Sequence, residues 1–152
     1  MAKLNALTDS RMIRALYKAS QAGVKIDLIV RGTCCLRPGV PGVSERIRVR
    51  SIVGRFLEHS RIYYFMNSSG EEKLYLASAD WMERNLDRRV EIAFPVENKR
   101  QIRRVKRDLE LYFTDNQQSW ELLADGRYVR QQPEEGQPAI NVQQALFEEL
   151  ST

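Results

Sequence analysis

Histidine and cysteine are nearly missing from this chain: 152 residues contain one histidine, His59, and two cysteines, Cys34 and Cys35. Adjacent cysteines close only a strained, rare disulfide, and two thiols with one imidazole cannot make an ordinary zinc site. Reduced thiols fit a cytoplasmic setting. No apolar run approaches the roughly 18 residues that a membrane helix needs. The start, Met1-Ala2-Lys3-Leu4-Asn5, lacks the long apolar stretch of a signal peptide. No transmembrane segment is expected, while peripheral association with a membrane stays compatible with the sequence. Neither Gly-x-x-x-x-Gly-Lys-Ser/Thr nor Gly-x-Gly-x-x-Gly occurs. A P-loop or Rossmann-type nucleotide site is therefore unsupported.

What is present is ordinary for one globular domain over residues 1–152: 43% hydrophobic and 29% charged residues, with a formal net charge of +4. That mild excess of positive charge suits an anionic partner. Thr8-Asp9-Ser10 offers N-cap oxygens, Ile13, Leu16 and Tyr17 follow at helical spacing, and Gly23 supplies a stop. Val24 to Val30 then reads as a strand, and helix followed by strand is an α/β signature. Arg31 to Val43 is broken by glycine and proline. Ile47 to Ile52 is a short strand. Arg61 to Met66 and Lys73 to Ala77 form a hairpin about Asn67-Ser68-Ser69-Gly70, and Val90 to Phe94 is a further strand closed by Pro95. From Asn98, Ile102, Val105, Leu109 and Tyr112 mark a helix with many arginines and lysines between them, read as a solvated face. Asp125-Gly126 turns a second hairpin, and Ala139 to Leu150 is a last amphipathic helix. The predicted fold class is α/β, with a mixed central sheet flanked by helices.

His59 precedes a strand and Ser78-Ala79-Asp80 follows the next, so the intervening hairpin brings them to one end. An imidazole can accept a phosphoryl group or deliver a proton near neutral pH. A hydroxyl and a carboxylate beside it can orient the ring or bind a phosphate oxygen. Arg61 adds a permanent positive charge and shares a face with His59 by strand alternation. Arg31 follows an apolar strand, where α/β sheets gather ligands. Arg88 stands in Arg84-Asn85-Leu86-Asp87-Arg88-Arg89, where pairing with Glu83 or Asp87 competes with phosphate recognition. Trp81 and Trp120 read as core or edge packing.

These strings resemble the C-terminal region of bacterial polyphosphate kinase. The resemblance rests on Ala19 to Ile26, Leu28-Ile29-Val30-Arg31-Gly32, Pro38-Gly39-Val40, Arg48 to Arg61, Ser78 to Met82 and Arg84 to Glu91. It is close over residues 3–96 and looser to the end. It implies an enzyme that reversibly moves the terminal phosphate of ATP onto inorganic polyphosphate through a phosphohistidine. It further implies four domains, the last two like phospholipase D. This chain resembles the fourth domain, and the nucleophile belongs to the third. Lys3 would then lie where the domain begins, and Met1-Ala2 would be additions to it.

Carried over, His59 matches the family's second active-site histidine, and Arg31 the arginine that contacts nucleotide phosphates. His59, Arg61, Ser78 and Asp80 occupy the phospholipase D His-x-Lys and Gly-Ser-x-Asn positions. Arg61 stands for the lysine, Ala77 for the glycine and Asp80 for the asparagine, which argues against ordinary phosphodiesterase chemistry. The implied partners are ATP or ADP, polyphosphate and the remaining domains of the same polypeptide, with a homo-oligomer at full length and no nucleic acid. Magnesium would be bound by those other domains, with no metal on this chain. Two other classes compete: a phospholipase D-like phosphodiesterase acting as a homodimer, and a non-catalytic polyanion-binding module.

Overall fold

The computed structural model describes residues 1–151. In chain order the elements are β1 (Ala2–Leu4), α1 (Ser10–Gln21), β2 (Ile26–Val30), β3 (Ile47–Ile52), β4 (Arg61–Met66), β5 (Glu72–Ala77), α2 (Glu83–Asp87), β6 (Ala93–Pro95), α3 (Lys99–Tyr112), β7 (Ser119–Leu122), β8 (Tyr128–Arg130) and α4 (Val142–Leu150). The strands form one mixed sheet in the order β6-β5-β4-β1-β2-β3-β7-β8. This is the α/β architecture with a mixed sheet that the sequence predicts.

Local chemistry explains the main boundaries. The Asp9 side chain accepts from the Arg11 and Met12 amides and starts α1, while Gly23 takes φ +92° beyond its end. Asn98 caps α3 in the same way. Every residue of β2 is buried, as expected for a parallel strand covered on both faces. One core layer packs Leu4, Leu28, Val30 and Val49 with α1. The other packs Ile29, Ile52, Tyr64 and Leu74 beneath α3 and α4, including Leu109 and Val142.

Ala2 is buried in β1 and pairs with Leu28 on one side and Tyr63 on the other. Three expectations about the elements need correction. The last strand before α3 runs over Ala93–Pro95, and Val90 is fully exposed ahead of it. Pro95 is tolerated inside it because β6 is an edge strand, where a missing N–H breaks no ladder on the open side. The arginine string contains a five-residue helix, α2, which sequence reading passes over. The last helix also starts later than Ala139, because Asn141 accepts from the Gln144 amide and sets its first turn.

The topology gathers chain ends at one rim. Strands β1, β2 and β3 are mutually parallel and end there. β4 runs antiparallel to β1 and begins there, and β5 returns to it at Ala77. β7 enters from the same rim, with Ser119 opposite Ile52. Asn5, Arg31, the segment leading to His59, Ser78 and Asp80 all follow or precede these strand ends. This rim lies at the carboxyl ends of the parallel strands, where open α/β sheets hold ligands.

Candidate functional site

At the rim, the His59 imidazole and the Arg31 guanidinium make no side-chain hydrogen bond or ion pair with the described residues. His59 is exposed on the segment between β3 and β4. Arg31 is half-buried just beyond Val30. Its backbone is fixed instead, because its amide donates to the Leu4 carbonyl and its own carbonyl accepts from Ser51 Oγ at 2.7 Å. β1 separates β2 from β4, so strand spacing puts the Arg31 and Arg61 backbones about 10 Å apart.

Arg61 is committed to protein. Its Nη2 meets Asp80 Oδ2 at 2.9 Å, its Nε donates to Asp80 Oδ1 at 3.3 Å, and its Nη1 donates to the His59 carbonyl at 3.1 Å. Asp80 also accepts from the Asn5 and Ala6 amides, at 2.6 and 3.3 Å. Burial acts to raise the Asp80 carboxyl, but Arg61 and the two amides outweigh it and hold the group below the usual carboxylate range. Asp80 thus locks the end of β1 to the start of β4.

Ser78 and Asp80 reach the same rim as His59, but neither hydrogen-bonds its ring. Ser78 Oγ donates to Glu91, accepts from the Ile92 amide at 3.0 Å, and so fixes the approach to β6. Asn85 of α2 also donates to Glu91. Arg88 is exposed and pairs with Glu83 at 2.8 Å. Of the residues singled out in the sequence, the structure therefore joins Arg61 to Asp80 and to the His59 backbone. Arg31 stands across β1 from them, Ser78 turns toward Glu91, and Arg88 toward Glu83.

Sequence reading missed the groups beneath the histidine. Lys3 is 1% exposed, yet its ammonium lies 2.9 Å from Glu58 Oε2 and donates to Ser60 Oγ at 2.8 Å. Glu58 also accepts from the Tyr112 hydroxyl and from Gln143 Nε2, each at 2.8 Å. Burial lowers the Lys3 ammonium, while Glu58 opposes that shift and Arg31 and Arg61 add to it. The last two influences mark Lys3 as a neighbour of both arginines. The only available signal was a lysine between Ala2 and Leu4 in an apolar stretch, too short to identify as a strand.

The rim therefore offers a free imidazole and a free guanidinium above a lattice of neutralised charges. Such a pair can ligate a phosphate oxygen and donate a proton to it. It does not suit magnesium. Among the described residues no group of three or more His, Cys, Asp or Glu is placed to hold a metal. Asp80 is occupied by Arg61, and Glu58 by Lys3. No helix among those residues is long and apolar enough to cross a membrane.

Comparison with known proteins gives the architecture a family. A polyphosphate kinase from Pseudomonas aeruginosa is 67% identical over 151 residues, covering 99% of this chain and 22% of the relative. One from Thermosynechococcus vestitus is 61% identical over 137 residues, or 90% of the chain and 19% of the relative. The crystal structure of polyphosphate kinase from Porphyromonas gingivalis superposes with a TM-score of 0.93 at 40% identity, covering 99% of this chain and 23% of that one. The chain thus spans about a fifth of the length of the curated relatives it matches. Residues 1–143 match the family described as polyphosphate kinase C-terminal domain 2, and the chain belongs to it.

Proposed function

We propose that this chain is the last domain of an ATP:polyphosphate phosphotransferase, and that it supplies one half of the active site. The observation that carries the reading is the pair of unpartnered groups, His59 and Arg31, at the carboxyl rim of the sheet. The relatives' name, polyphosphate kinase, supports a nucleotide, ATP or ADP, and inorganic polyphosphate as the substrates of the pair.

In the reaction, the bond between the terminal phosphorus of ATP and its bridging oxygen breaks, and that oxygen keeps the electron pair as part of ADP. The phosphoryl group passes to a histidine nitrogen on another domain and then to the end of a polyphosphate chain. Arg31 neutralises charge on the phosphates being bound. His59 donates a hydrogen bond or a proton to a phosphate oxygen. Arg61 keeps N–H groups that Asp80 and the His59 carbonyl do not use, and these are left for an anion at the rim. Ser78 and Asp80 shape the rim without touching the phosphate, and Arg88 adds positive field at its margin. Magnesium, where the reaction uses it, is held by residues outside this chain. The setting is cytoplasmic.

The test is reconstitution. Mixed with ATP and polyphosphate, the chain alone is expected to give no phosphoryl transfer, and addition of the remaining domains of a full-length relative restores it. Restoration is lost with His59→Ala. Turnover of ATP by the isolated chain at enzyme-like rates would sink the half-site reading.

A further inference from the structure

The side chains of Glu58 and His59, neighbours in sequence, sit in opposite surroundings: the carboxylate is buried and the imidazole exposed. Something must hold the intervening backbone in register for that alternation to persist. Residues 53–57, ahead of Glu58, are all exposed and belong to no helix or strand. Left alone, such a segment samples many conformations. Its hydrogen bonds run to one side chain of the last helix.

Gln143 lies on the first turn of α4 and is 5% exposed. Its Oε1 accepts from the Phe56 amide at 2.9 Å. Its Nε2 donates to the Phe56 carbonyl and to Glu58 Oε1, both at 2.8 Å. Both carboxamide protons are used, and the backbone of Phe56 is gripped on both its donor and its acceptor. Lys3 completes the clamp by contacting Glu58 and Ser60, the residues on either side of His59. A Cβ at Gly54 would overlap the carboxamides of Gln118 and Gln143, so the segment lies directly against both glutamines.

The helix is itself anchored. Asp115 Oδ2 accepts from the Val142 amide at 2.9 Å, and Asp115 Oδ1 accepts from the Gln117, Gln118 and Ser119 amides ahead of β7. Phe147, one turn on from Gln143, stacks on Phe56 with ring centroids 5.9 Å apart. α4 is thus a fixed platform tied to the sheet.

We infer that Gln143 is a positioning residue: from α4 it fixes the segment that carries His59, so that the imidazole is presented to the rim in one orientation. It touches no substrate. It acts by removing the conformational freedom that His59 would otherwise lose on binding phosphate. The affinity consequence rests on the phosphate-binding reading of His59; the ordering of the segment does not.

A single histidine makes the test clean, because the whole chain gives one set of imidazole NMR signals. Inorganic triphosphate is titrated into the wild-type chain and into Gln143→Met, which keeps the length of the side chain but removes its hydrogen bonds. The expected result is one sharp imidazole set in the wild type, and broadened or doubled signals in Gln143→Met. Triphosphate affinity should fall about tenfold, while amide signals of the sheet stay in place. A sharp, single imidazole set with unchanged affinity in the variant would overturn the inference. If wild-type His59 ignores triphosphate but the variant's ring signals still double, the positioning role stands and the phosphate reading fails. Hydrogen exchange of the wild-type chain gives a check that needs no variant. The Phe56 amide, held by Gln143, should exchange far more slowly than that of Leu57, and equal rates would overturn the inference.

Discussion

Arg61 opens the first strand of a β-hairpin and Asp80 follows the second, and their side chains close on each other at 2.9 Å. That contact joins the start of β4 to the turn after β5, and through the Asn5 and Ala6 amides it holds the end of β1 as well. Replacing Asp80 with alanine leaves a largely buried guanidinium without its carboxylate and two amides without their acceptor. A loss of about 3 kcal/mol is expected, measured by urea denaturation. A change under 1 kcal/mol would mean that Arg61 finds other partners.

The same carboxylate sets a pH dependence. Its folded pKa lies below the ordinary value, so between the two the unfolded chain binds more protons than the folded one. The stability it contributes is complete above about pH 4, the ordinary aspartate value, and is lost as pH falls through the lower folded value. Urea midpoints followed from pH 5 down to pH 2.5 should fall, and fall less steeply in Asp80→Asn. Parallel curves would assign the acid sensitivity to other carboxylates.

Lys3→Met places an apolar side chain in an apolar strand yet strands Glu58 without its cation. The expected cost is about 3–5 kcal/mol. Adding Glu58→Gln should recover most of it, because the neutral carboxamide can still accept from Tyr112. A double-mutant cycle by chemical denaturation measures the coupling, and additive effects would show that the pair does not act as a unit.

Arg31 has no partner to lose, so Arg31→Ala should leave the unfolding midpoint nearly unchanged. Triphosphate binding at low salt should weaken by roughly ten- to a hundredfold, the range of a charge-assisted hydrogen bond. Calorimetry on the chain reads both quantities. Equal binding by variant and wild type removes Arg31 from the site.

The sequence made some of this plain and hid the rest for physical reasons. Asp9 and Gly23 bracket α1, and Asn98 opens α3, because caps leave a local signature. The hairpin of β4 and β5 is marked by its turn residues. β1 leaves no such mark: it has three residues, none β-branched, with a lysine in the middle. Its strand character comes from neighbours distant in sequence on both sides. For the site, His59, Arg31 and Asp80 follow from strand ends and chemical type. Glu58 and Gln143 do not, since a glutamate beside an exposed histidine and a glutamine on a terminal helix look like surface residues. Only the packing of α4 against the His59 segment makes them one buried cluster.

The placement of β1 has a mechanical consequence. Among the described residues it is the only strand connecting β4, β5 and β6 to β2, β3, β7 and β8. Tension applied to the chain at Met1 would load this short ribbon in shear, against its ladders to both halves. The far end of the ribbon is Asn5, gripped by Asp80 beside Arg61. A pull at the first residue would therefore bear on the ladders that join the two halves of the sheet and on the Asn5–Asp80 contact at the rim.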